Sequence, residues 1–195
     1  LRARADAIPE LGHGGREVGP LLIELASQVQ SGAIVDIGPY LGSTTAYLAL
    51  GAGGAPIHAF DTWDADICDL RAKARKFHGM EIPDDLQPLF VENLSPFGAD
   101  LTVHRCDISA LPEWAFGPIA LLVDDIGIEP DRTEAKMRVF GPSLMKGAKL
   151  LLLDYFWYEH KRGVEFTGAR DYMLAHNEYR LLRRAGARGA LFEVL

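Results

Sequence analysis

A chain of 195 residues is long enough for one full-sized core and short for two. Apolar residues make up 48% and charged residues 24%, which excludes wholesale disorder. Twenty Lys+Arg against 27 Asp+Glu give a net charge of −7, which argues against a protein that coats nucleic acid.

Short aliphatic runs recur along the chain, each followed by a turn and an amphipathic stretch. The first helical pattern, Val18 to Gln30, puts Val18, Leu21, Leu22, Leu25 and Val29 on one face. The predicted strands then come at Ala33–Ile37, Pro56–Phe60, Leu101–Arg105, Ile119–Val123 and Lys149–Leu153. The first, fourth and fifth are almost continuously apolar, as parallel strands covered on both faces are. Helices are expected over Ser43–Leu50, Asp131–Met145 and Phe166–His176. Two last strands, Tyr179–Arg184 and Ala190–Leu195, flank a Gly-rich hairpin connection. This order predicts an α/β, doubly wound, mainly parallel seven-stranded sheet of Rossmann-like type with a C-terminal antiparallel hairpin.

Residues 1–195 read as a single domain, with residues 1–31 as an N-terminal cap and helix region. Residues 62–99 break the rhythm with Pro83, Pro88 and Pro96. They are expected to hold a helix near Ile67–Phe77 and a loop, which either covers a site or is a plain surface insertion. Cys68 and Cys106 form no CxxC pair, so they read as buried thiols of a cytoplasmic protein. No apolar stretch approaches the roughly 18–20 residues of a membrane span, and the first residues do not read as a secretory signal.

Acidic residues recur where the parallel strands end. Asp36-Ile37-Gly38-Pro39-Tyr40-Leu41-Gly42 joins the first strand to the next helix. A dinucleotide loop would read GxGxxG, whereas here Pro39 deletes an N–H donor and Asp36 would repel a pyrophosphate but suit a cation. Asp61 ends the second strand, where a carboxylate can accept both hydroxyls of a ribose. Asp107 follows the third, Asp124-Asp125 the fourth and Asp154 the fifth. One or two such acids are explained by solvation; five at one rim suggest a site.

In order and spacing these segments resemble the class I S-adenosylmethionine-dependent methyltransferases. The nearest branches are the small O-methyltransferases of catechol and caffeoyl-CoA type and the macrocin-like enzymes. The resemblance runs from about Gly19 to Leu195 and rests on Val35–Ser43, Ala59–Trp63, Asn93–Gly98 leading into Cys106-Asp107-Ile108, and Gly147–Trp157. It implies that Asp36, Gly38, Gly42 and Ser43 form the loop around the cofactor's methionine part. Asp61 would hold the ribose, with Thr62 and Trp63 beside it. Asp107 and Ile108 would hold the adenine, and Asp124 would sit by the methyl group.

The resemblance also implies a small-molecule acceptor, a sugar or phenolic hydroxyl, with no nucleic-acid or membrane partner and a possible homodimer. An alcohol or phenol needs help to lose its proton, from a divalent metal or from a base. Asp124 and Asp154 match two of the three positions used by the metal-dependent relatives, Tyr155 stands at the third, and Asp125 is a substitute ligand for Mg²⁺. The candidate base is His160, although it reads more readily as a solvated loop residue. His13 could belong to a lid, and His58 and His104 read as strand residues packed against neighbours. Arg180, Arg183, Arg184 and Arg188 read as solvated charges on an edge hairpin. Two rivals remain: a methyltransferase-fold binding module without catalysis, and an NAD(P)-dependent oxidoreductase.

Overall fold

The computed structural model describes residues 1–10 and 15–195, the side chain of Cys68 excepted. His13 and the reading of Cys68 as a buried thiol therefore lie outside the described residues. Two short N-terminal helices, α1 (Arg2–Ala7) and α2 (Gly15–Ser27), lead into β1 (Ala33–Ile37), α3 (Ser43–Gly51) and β2 (Ile57–Asp61). The 62–99 segment then holds α4 (Leu70–Lys73), flanked by helical turns over Ile67–Asp69 and Ala74–His78, and α5 (Gln87–Leu94). The remaining elements are β3 (Leu101–Arg105), β4 (Ile119–Asp124), α6 (Pro130–Phe140), β5 (Leu144–Leu152), α7 (Gly168–Ala175), β6 (Tyr179–Ala185) and β7 (Gly189–Val194).

The strands form one seven-stranded sheet in the order β3-β2-β1-β4-β5-β7-β6. All neighbours are parallel except β5–β7 and β6–β7. The expected sheet and hairpin are thus present. The order reverses between β1 and β4, and crevices at such a reversal, beyond the carboxyl ends of the strands, are where doubly wound sheets bind ligands.

Two apolar clusters cover the faces. Leu22, Tyr47, Trp63, Phe90 and Leu151 belong to one, and Phe60, Phe140, Leu150, Met173 and Phe192 to the other. Every residue of β1 is buried, as its central place requires. α3 lies against α2 so closely that a Cβ at Gly19 would stand 2.8 Å from Cζ of Tyr47.

Two boundaries differ from expectation. The helix expected over Asp131–Met145 stops at Phe140, and Gly141-Pro142-Ser143 turns the chain into a β5 that begins at Leu144. Proline cannot continue a helix's hydrogen bonds, and Met145 therefore belongs to the strand. The loop expected late in the 62–99 segment carries α5 instead, which starts with Pro88 in its first turn, where a missing N–H costs nothing.

Candidate active site

The turn after β1 is tight and strained. Gly38 and Gly42 have φ of 79° and 96°, and Tyr40 is held at 50°. The carboxylate of Asp61 stabilises this turn: Oδ2 accepts the backbone N–H of Tyr40 at 3.1 Å and Oδ1 that of Trp63 at 2.8 Å. Trp63 itself is fully buried and donates its indole N–H to the Tyr40 carbonyl at 2.9 Å. Its side chain pins the loop from behind and does not line the cleft.

That cleft opens at the carboxyl ends of β2 and β3. Its lining includes Phe60, Asp61, Thr62, Cys106, Asp107, Ile108, Ile126, Gly127, Arg132 and Lys136. Four of the residues expected to hold a nucleoside, Asp61, Thr62, Asp107 and Ile108, therefore share one cavity. Asp107 caps the turn that follows it: its Oδ1 accepts from the Ser109 hydroxyl and from the N–H of Ser109 at 2.9 Å, and these bonds, the hydroxyl's first, hold its carboxyl below the ordinary aspartate range. An ionised acceptor thus faces the cleft. Burial pushes the Asp61 carboxyl up, against the backbone N–H groups of Trp63 and Tyr40.

Asp36, Gly38, Gly42, Ser43 and Asp124 are not in the lining of this cleft but beside it, under the β1 and β4 exits. Asp36 is fully buried, and its Oδ2 accepts from Thr44 Oγ1 at 2.9 Å and Thr45 Oγ1 at 2.6 Å. Its Oδ1 is buried without a partner. Burial, opposed by the two threonines, raises its carboxyl to about 6. An orphaned, buried carboxylate oxygen fits the cationic amino group of the cofactor that the sequence implies. Ser43 Oγ lies 3.5 Å from Oε1 of Glu10, so the N-terminal segment reaches the start of α3.

Asp124 is held in a buried ion pair. Its Oδ2 is 2.5 Å from Nζ of Lys136, an amino group that also donates to the carbonyls of Ile126 (2.9 Å) and Gly127 (2.7 Å). Both side chains are buried, at 4% and 6% exposure. Burial pushes the Asp124 carboxyl up while Lys136 pulls it down. Lys136 escaped notice in the sequence, although Thr133, Lys136, Met137 and Phe140 share a face at i, i+3, i+4 and i+7, which placed it toward the core.

The expected Mg²⁺ ligands do not fit a metal. Asp124 already has a cation at hydrogen-bond distance, and among the described residues no group of three His, Cys, Asp or Glu is arranged to hold an ion. Asp125 and Asp154 do belong to the same acidic rim. Burial first, then Asp154, Asp36 and Asp124, pushes the Asp125 carboxyl well up, and burial lifts Asp154 to about 6.

His160, the candidate base, is exposed at the end of the turn Tyr155–Glu159 and is absent from the cleft lining. His58 and His104 pack against each other as expected, Nδ1 to Nε2 at 2.9 Å. Of the hairpin arginines, Arg180, Arg183 and Arg184 are exposed and ion-paired with Glu193, Glu24 and Glu159. Arg188 is not a solvated edge charge: it is half-buried, with its guanidinium carbon 3.9 Å from the ring centre of Trp157.

No family model matches the sequence, and no curated protein does. Solved structures do match it. Cofactor-bound Rv0187 from MTB has a TM-score of 0.68 at 19% identity, over 99% of this chain and 87% of that one. TomG from Streptomyces achromogenes, an O-methyltransferase involved in tomaymycin synthesis and solved in complex with SAM, has a TM-score of 0.66 at 15% identity, over 90% and 78%. An rRNA methylase from Streptococcus thermophilus has a TM-score of 0.55 at 16% identity, over 90% and 95%. These likenesses, with the strand order and the reversed β7, show that the chain has the Rossmann-like fold of TomG and the rRNA methylase.

Proposed function

We propose that the protein transfers a methyl group from S-adenosylmethionine to a hydroxyl of a small molecule. One observation carries this reading: Asp61 and Asp107 end adjacent strands on a single cleft, with the unpartnered Asp36 oxygen behind it. Asp107 would accept from the adenine amino group and Asp61 from the ribose hydroxyls, while Asp36 would hold the amino group of the methionine part. When bound, this cofactor supplies a methyl group activated on a sulfonium. The loop from Gly38 to Gly42 and the buried Asp36 would set its orientation, since in-line displacement depends on alignment. Lys136 would hold the β4 exit, Asp124 to Gly127, in place against it.

A net charge of −7 favours a small acceptor over RNA, although an RNA-modifying enzyme shares the fold. The turn after β1 disfavours the nicotinamide rival, because it lacks the third glycine and carries Pro39. The binding-module rival draws on the commitment of Asp124 to Lys136.

Thermal unfolding with S-adenosylhomocysteine, NAD⁺ and NADP⁺ in parallel separates these readings. Ligand at about a hundred times its Kd adds about 2.7 kcal/mol. The expected outcome is a rise in Tm with S-adenosylhomocysteine alone; a rise only with a nicotinamide cofactor would overturn the proposal.

A further inference from the structure

The hairpin brings an unsatisfied cation to the carboxyl rim. β5 and β7 pair antiparallel as far as Leu152 opposite Ala190; Asp154 then lies in the turn after β5 and Arg188 in the turn between β6 and β7, near enough for the Arg188 charge to pull the Asp154 carboxyl down. The N–H of Phe156 donates to the Arg188 carbonyl at 2.7 Å, which ties the turn after β5 to the hairpin turn. An Asp and an Arg so placed would ordinarily close into an ion pair. Here they make no hydrogen bond to each other: Nη1 of Arg188 and Oδ1 of Asp154 are both buried without a partner, and the guanidinium carbon lies 3.9 Å from the ring centre of Trp157. A buried donor and a buried acceptor left open side by side are costly unless something bridges them.

Their place in the sheet says what would. Along the rim the order is β3, β2, β1, β4, β5, β7, with Asp107 and Asp61 at the first two exits and Asp36 and Asp124 at the next two. The N–H of Leu153 donates to the Asp124 carbonyl at 2.9 Å, which ties the β5 exit to that of β4. A ligand lying from β3 to β4 would end beside Asp154 and Arg188.

We propose that Arg188 and Asp154 form an acceptor subsite for compounds whose hydroxyl neighbours a carboxylate. Arg188, seated over the Trp157 ring, takes the carboxylate through its planar fork, and Asp154 accepts the hydrogen bond of the hydroxyl. A guanidinium matches a carboxylate in two parallel N–H···O bonds, and a ligand anion supplies the counter-charge that Asp154 does not give at contact distance. The remaining carboxylates of the rim favour a singly charged carboxylate over a doubly charged phosphate. This inference rests on the methyl-transfer reading for the role of the subsite, but its binding test is separate.

The experiment is calorimetric titration of the full chain, alone and saturated with S-adenosylhomocysteine, with 2-hydroxybenzoate and mandelate against phenol and benzyl alcohol. The two hydroxy acids are expected to bind at least tenfold more tightly than the two neutral alcohols. Arg188→Met keeps an apolar stem against Trp157 and is expected to erase that preference while leaving S-adenosylhomocysteine affinity unchanged. Arg188→Lys, which keeps the charge but loses the fork, is expected to restore only part of it. Equal binding of acids and alcohols, no binding of either, or a preference that survives Arg188→Met would overturn the inference. S-adenosylhomocysteine binding by the same samples reports on the cofactor reading by itself, so its loss overturns that reading without touching an Arg188-dependent preference seen in the free chain.

Discussion

Three side chains test the account at the residue scale. Asp107 is exposed and holds only its own turn, so Asp107→Ala is expected to weaken S-adenosylhomocysteine binding about tenfold or more while Tm stays nearly unchanged. Lys136 has the opposite profile. Lys136→Met would leave Asp124 buried without its cation and two carbonyls without their donor, a loss of about 3–5 kcal/mol. Denaturant unfolding checks it, and the double variant Asp124→Asn/Lys136→Met should recover part of the loss. Asp36 sets a pH dependence. Its folded carboxyl titrates at about 6 against 3.8 ordinarily, so between those values the folded state binds a proton that the unfolded state has released. Its ionisation therefore costs nothing below pH 3.8, an increasing amount as pH rises through that window, and about 3 kcal/mol of stability above pH 6. Asp36→Asn should remove this component from a Tm profile between pH 4 and 7. Cofactor binding depends on the ionised form, so wild-type affinity should fall as pH drops below 6.

At the element scale, the turn between β1 and α3 is where backbone shape and site coincide. Gly42 has a left-handed φ of 96°, and a Cβ there would stand 2.1 Å from Leu94 Cδ2 and 3.1 Å from Phe90 Cδ2. Gly42→Ala combines backbone strain with overpacking against α5 and is expected to cost about 1–3 kcal/mol, read as a lower denaturant midpoint with an unchanged slope. The elements themselves were largely legible in the sequence: the five short runs became the five parallel strands, the central ones because burial on both faces leaves them almost continuously apolar, whereas the edge strand β3 is half exposed. The site was legible only in part. Asp61 and Asp107 could be placed because their position follows from where a strand ends. The pairing of Lys136 with Asp124 and the stacking of Arg188 on Trp157 could not, since each joins elements whose relative placement only the folded sheet fixes. The inward turn of the Trp63 side chain, which donates to the Tyr40 carbonyl, was equally out of reach of the sequence.

At the scale of the whole molecule, the sheet lines up one function per pair of strand exits. β3 and β2 present Asp107 and Asp61 to a cleft, β1 and β4 present Asp36 and Asp124, and the turns after β5 and before β7 carry Asp154 and Arg188. The N-terminal segment and the 62–99 segment meet above this rim, where His78 Nε2 lies 2.6 Å from the Glu10 carbonyl. Among the described residues no helix is long and apolar enough to cross a membrane. The central claim is that this rim binds S-adenosylmethionine, and calorimetric titration of the chain with S-adenosylhomocysteine tests it most directly. The account predicts one site per chain, weakened by Asp107→Ala and by acid below pH 6. Binding that ignores both changes, or no binding at pH 7, would contradict it.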